Sequence, residues 1–158
     1  MNEIQAVKTA KIEEVKKNSK KGFTLVELVV VIAILAILAA IAIPVVSSTI
    51  ASSQRSTALS DAQTLELALK EAHAQIVAKD TSVYADTATV NDVITEKSLQ
   101  SIHVGDTRTI GGDTYTLSWC AADDKCYWMN GTTNLDSSIT PGGTTVAIAT
   151  GDTVSTLF

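Results

Sequence analysis

From Leu28 to Ile43 the chain runs through sixteen consecutive apolar residues, and no other feature limits what it can fold into so sharply. With Phe23 to Glu27 added, the stretch before Pro44 has 21 residues. As an α-helix it would measure about 31 Å, enough to cross the hydrocarbon core of a bilayer. The chain is therefore expected to be membrane-inserted at some stage. Glu27 lies four residues inside the edge of this segment. An ionisable side chain there is costly, by about 2.5 kcal/mol or more at the centre of a span and less near the interface, so it points to a function.

Charge sets the expected orientation. Residues 1–22 hold six lysines (Lys8, Lys11, Lys16, Lys17, Lys20 and Lys21) against Glu3, Glu13 and Glu14, a net of +3. The remaining residues carry six basic and fourteen acidic side chains, a net of −8 within the −5 of the whole chain. Lysines cluster before the apolar run and the next basic residue after it is Arg55, which places residues 1–22 in the cytoplasm and the acidic body outside. An acidic body also argues against nucleic-acid binding, which needs a basic face. A cleaved secretory signal is the alternative, with Ala40 and Ala42 as small residues for a signal peptidase. The length of the run and the presence of Glu27 weigh against it.

Beyond Pro44 the helical pattern continues with rising polarity. Ala58, Ala62, Leu65, Leu69, Ala72 and Ile76 recur at intervals of four and three, one apolar stripe that predicts a helix to about Lys79 lying on a sheet. Glu66 and Lys70 form an i,i+4 pair off that stripe. Pro44 is the expected kink. Within residues 80–105, Val90, Val93, Ile94 and Leu99 suggest a short helix capped by Thr87 or Thr89. Residues 106–158 alternate short β-rich runs with turns such as Gly111-Gly112 and Pro141-Gly142-Gly143, an antiparallel meander of four or five strands ending in Val154–Phe158. The fold class is α+β, a long N-terminal helix packed on a C-terminal antiparallel sheet.

Alternation along the strands predicts Tyr115, Leu117 and Trp119 on the helix side, joined by Val146, Ile148, Tyr127 and Met129, with Trp128 facing outward. The chain's two cysteines are Cys120 and Cys126. They lack the further ligands of a structural zinc site. In an extracytoplasmic body they read as a disulfide on the outer face of a hairpin, the alternative being two buried free thiols.

The run Lys20-Lys21-Gly22-Phe23-Thr24-Leu25-Val26-Glu27 resembles the processing signature of type IV pilins and of the pseudopilins of type II secretion and competence systems. Those families share a Gly before a Phe-Thr-Leu-type start, a Glu at the fifth mature position and a long apolar helix. Pro44, twenty-second from Phe23, matches a common pilin position, whereas Ala36 stands where many members have glycine. The resemblance is specific over residues 20–46. It implies a leader at 1–22 that a prepilin peptidase removes between Gly22 and Phe23, with N-methylation of the new Phe23 amine. It implies further that residues 23–46 are both membrane anchor and polymerisation helix, and 47–79 its amphipathic continuation. Glu27 would then pair with the Phe23 amine of a neighbouring subunit and set its register. The implied partners are further copies of the same protein, the peptidase, an assembly ATPase and an inner-membrane platform protein. The product is a filament on the cell surface that serves adhesion, motility or DNA uptake.

Within that resemblance a major pilin is the leading reading and a major pseudopilin the alternative. Major secretion pseudopilins usually hold calcium in a C-terminal loop; Asp123, Asp124, Asp136 and Asp152 are of the right type, but no Asp-x-Asp-x-Asp-Gly loop occurs, and no metal or cofactor is expected. The sequence gives no reason to expect an enzyme. His73 and His103 are the only histidines and have no nucleophile or carboxylate at a motif spacing. Asn130-Gly131-Thr132 reads as a turn rather than a glycosylation acceptor.

Overall fold

The computed structural model describes residues 22–79 and 82–158; the leader lysines and the boundary at 80–81 lie outside the described residues. The protein divides into two compact units, residues 1–44 and 45–158.

Helix α1 spans Leu25–Val77 with Pro44 inside it. Proline removes one donor from the helix ladder. Just beyond it the Ser48 and Thr49 hydroxyls both donate back to the Val45 carbonyl, at 2.9 and 2.8 Å, as Ser and Thr do when they sit inside a helix. In the second unit α1 buries Ala58, Ala62, Leu65, Ala68, Leu69, Ala72 and Ile76, the anticipated stripe with Ala68 added. Helix α2, Val90–Glu96, starts at a capping box: the Thr89 side chain accepts from Asp92 N–H, and the Asp92 carboxylate accepts from Thr89 N–H at 2.8 Å. Each partner satisfies a donor the first turn leaves free.

The sheet has five strands: β1 Thr107–Ile110, β2 Asp113–Cys120, β3 Lys125–Asn130, β4 Thr133–Asn134 and β5 Thr145–Ala147. All pairings are antiparallel. β2 is central: β3 runs along one edge, while the other edge takes β1 over its first half and β5 over its second. Gly111 and Gly112 form the β1–β2 turn with φ of +63° and +100°, the doubly left-handed turn that suits strand twist and favours glycine. β4 is too short to show a period in sequence. The final run is a 3-10 turn at Val154–Thr156 rather than a strand. Val154 and Leu157, three residues apart, are its buried pair, and that spacing belongs to a three-residue turn.

The β2–β3 register corrects the sequence reading of the hairpin. Cys120 pairs with Lys125, so Cys126 stands opposite Trp119 and Trp128 opposite Leu117. Side chains alternate with period two, so a one-residue difference exchanges the faces of a whole strand. Cys126 and Trp128 therefore belong to the helix-side core with Leu117 and Trp119, while Tyr127 and Met129 join Cys120 in a second, outer cluster. The expected Cys120–Cys126 bridge is not formed. Both thiols are free and buried, and they lie on opposite faces of the sheet. Val146, expected inside, is exposed on the edge strand, whereas Ile148 is buried as anticipated.

Trp128 is central to the packing. It is 1% exposed, its indole N–H donates to the Ala58 carbonyl at 2.7 Å, and the Arg108 guanidinium lies 5.8 Å from its ring centroid. Arg108 in turn pairs with Asp61 at 2.6 Å, and Arg55 donates to the Leu135 carbonyl. The charges of this part of α1 are thus engaged with the sheet and its edges. Glu66 accepts from Lys70 at 2.8 Å and from Cys126 N–H at 3.4 Å. Fully burying a Leu side chain such as Leu65, Leu69 or Leu117 stabilises by roughly 1.5–3 kcal/mol, which makes the stripe the main bond between helix and sheet.

The outer cluster is covered by the segment between β4 and β5. Asp123 at the β2–β3 turn accepts from Gly142 N–H at 2.6 Å and from the Tyr127 hydroxyl at 2.9 Å. A Cβ on Gly142 would lie 2.2 Å from an Asp123 oxygen, so glycine is needed for that approach. One on Gly143 would lie 2.8 Å from Ala122 Cβ and 3.8 Å from Cys120 Sγ.

Candidate functional site

The functional residues expected from sequence meet at the start of α1. Residues 22–24 precede the helix, and every side chain from Phe23 to Ile50 is exposed. Phe23 is 91% exposed. Nothing lies within 4 Å of where a Gly22 Cβ would stand. The Gly22–Phe23 peptide therefore sits outside regular structure, at an exposed position before the helix.

Glu27 is engaged by its near neighbour Thr24. Its carboxylate accepts from Thr24 N–H and from the Thr24 hydroxyl, both at 2.8 Å, and Glu27 N–H donates back to the Thr24 oxygen at 3.3 Å. This is a capping box of the same form as Thr89–Asp92. It fixes the helix start two residues after Phe23 and places a carboxylate at the positive end of the helix dipole. Sequence reasoning singled out Glu27 but missed Thr24. A Thr-x-x-Glu before an apolar run was the available signal.

The segment that follows is apolar all round. Leu28, Val29, Val30, Val31, Ile32 and Ile34 are each about half exposed or more, and helix α1 is long and apolar enough to cross a membrane by length and composition. The prokaryotic N-terminal methylation motif matches residues 17–43, covering the leader's last lysines, Gly22, Phe23, Glu27 and the apolar run. The protein carries the class III signal peptide of type IV pilin-like proteins. In a pilin-like protein the apolar N-terminal helix is the membrane anchor, and the capped, exposed start of α1 fits that role. No curated protein and no solved structure matches the sequence.

The remaining candidates do not assemble into a second site. His73 stacks on Phe158, with ring centroids 4.1 Å apart; His103 holds φ +54° with its ring Nδ1 2.7 Å from the Ser101 carbonyl oxygen. Asp123 is occupied by Gly142 and Tyr127, Asp136 accepts from Ser138 N–H and hydroxyl, and Asp152 accepts from Ala149 N–H. Among the described residues no group of three or more His, Cys, Asp or Glu is placed to hold a metal ion. The Gly142 N–H, then the Tyr127 hydroxyl, hold the Asp123 carboxyl below its usual range. Burial first, then Asp123, push the Tyr127 phenol up to about 12. Burial also pushes the Cys126 thiol up. That keeps it a packing group rather than a nucleophile.

Proposed function

We propose that this protein is a structural subunit, the major pilin of a type IV pilus, rather than an enzyme. Prepilin peptidase would release the 22-residue leader at Gly22–Phe23, and the subunit would wait in the membrane with its acidic body outside. The assembly ATPase and platform protein would then extract it into an extracellular filament for adhesion, motility or DNA uptake. The observation that carries the reading is the start of α1: an apolar helix exposed on every side, capped at Thr24, with one carboxylate in its first turn. Lipid satisfies such a surface before assembly, and the same surfaces of neighbouring copies satisfy it afterwards.

Glu27 has a defined part in this. As a neighbour's Phe23 amine enters the apolar core, a carboxylate left without a partner would cost several kcal/mol, so the pair sets axial register as well as adding cohesion. Pro44 is proposed as the point where the helix bends to follow its neighbours. A pseudopilin would share this anchor. The five-stranded body speaks against a competence pseudopilin, and the retained Glu27 favours a bulk subunit over one at a filament tip. Electron microscopy of material sheared from the cell surface tests the proposal. Long filaments that contain the protein are expected, lost in Glu27→Ala while the membrane-bound pool of processed subunit remains. Filaments unchanged in Glu27→Ala, or the absence of long filaments from cells that process the precursor, would contradict it.

A further inference from the structure

The three asparagines of the body differ in one respect that matters for chemistry. Asn130, the last residue of β3, pairs with Thr133 across a two-residue turn of Gly131 and Thr132, and all three of Asn130, Gly131 and Thr132 are exposed. Gly131 has φ +59°, and a Cβ built on it would meet nothing within 4 Å. Among the described residues the Asn130 carboxamide has no hydrogen-bond partner, and the Gly131 N–H donates to no backbone carbonyl.

Asn134, four residues on, is held at every atom that counts. It is 6% exposed, its side-chain amide donates to the Ile139 carbonyl at 3.0 Å, and its side-chain oxygen accepts from Asp136 N–H at 3.3 Å. The following Leu135 N–H donates to the Trp128 carbonyl at 2.8 Å. At Asn91 in α2 the following N–H, that of Asp92, is taken up by the Thr89 carbonyl and hydroxyl.

We propose that Asn130–Gly131 is a site of spontaneous backbone modification, where the asparagine converts to aspartate and isoaspartate in the folded protein. The Gly131 nitrogen attacks Cγ of Asn130, a ring N–Cγ bond forms, and the Cγ–Nδ2 bond of the carboxamide breaks. The proton of the Gly131 N–H leaves with the amide as ammonia. Water then opens the five-membered succinimide at either carbonyl. One opening gives Asp; the other gives a β-linked residue whose main chain passes through the former side chain. No oxidant or cofactor is required. The absence of a side chain on Gly131 is what admits the close approach. Either product adds a negative charge to a body already at −8. The β-linked product lengthens the turn that joins β3 to the two-residue strand β4, so the Met129–Asn134 and Asn130–Thr133 pairings are the first to be lost. The chemistry stands whether or not the protein polymerises.

The test incubates the purified full-length protein in detergent at mildly alkaline pH and maps its peptides by mass spectrometry, with enzymatic labelling of isoaspartate. Conversion at Asn130 is expected to run at least about tenfold faster than at Asn134, whose hydrogen bonds must open first, and to disappear in Asn130→Gln. The ratio should narrow when the same protein is incubated in denaturant, because Asn134 and Asn91 lose their restraints. Equal conversion at the three sites of the folded protein, or a ratio that unfolding leaves unchanged, would overturn the proposal.

Discussion

Helix α1 buries none of the side chains between Phe23 and Ile50, whereas between Ala58 and Ile76 it buries seven. One helix thus has two kinds of surface. The later part has an apolar stripe and a sheet of the same molecule to cover it, with Arg55, Asp61 and Glu66 bonded to that sheet or its edges. The earlier part is apolar on every side, and among the described residues nothing covers it. A stripe seeks one partner, but a helix that is apolar all round must be surrounded. The exposed apolar run thus has the surface of a membrane anchor, while the stripe has a sheet to cover it.

Paired substitutions sharpen that contrast. Leu69→Ala, at a fully buried position, should destabilise the body by about 2–5 kcal/mol in denaturant unfolding, while Leu38→Ala, on the exposed run, should leave the same transition unmoved. Equal effects would erase the distinction between the two regions. Leu35→Lys should do the reverse. A lysine near the middle of the span should disfavour insertion by about 2.5–3.5 kcal/mol, read as loss of the protein from membrane fractions with the body's unfolding unchanged.

The two capping boxes allow a finer comparison. Thr89→Ala removes the cap of α2 and should cost the body about 1 kcal/mol, whereas Thr24→Ala should leave body stability as it was and act on the helix start alone. The smallest effect concerns acid. The Asp123 carboxyl is held below its usual range by Gly142 N–H and then Tyr127. Its stabilising contribution is therefore complete above about pH 4, the value in an unfolded chain, and is lost as pH falls through the lower folded value. Asp123→Asn should blunt that acid loss. It should also speed thiol labelling of Cys120, which lies beneath the Gly142–Gly143 strap, but not of Cys126 on the other face. Equal labelling of both thiols would show that the strap covers neither selectively.

Much of this is legible in the sequence where a period runs long enough to be read. The stripe from Ala58 to Ile76 spans five turns and specifies its own buried face. Gly22, Phe23 and Glu27 are readable because they stand in one short motif. The errors fall where a single residue of register decides the outcome. Reading Cys120 and Cys126 as a bridged pair turns Trp128 outward and Tyr127 inward; the Cys120–Lys125 pairing reverses both. β4 is invisible to periodicity because two residues carry no alternation, and Val154–Thr156 imitates a strand because its three-residue spacing is short. The Thr24–Glu27 box is present in sequence as Thr-x-x-Glu, but a reading of Glu27 only for its role toward a neighbour passes over it.

The central claim is that the protein is processed at Gly22–Phe23 and keeps its apolar helix for assembly. The intact mass and N-terminal residue of the protein recovered from sheared cell-surface material test it most directly. A species that begins at Phe23 and is one methyl group heavier than its sequence is expected. A soluble species that begins near Ile43 would show cleavage after the apolar run and loss of the assembly helix, and would contradict it.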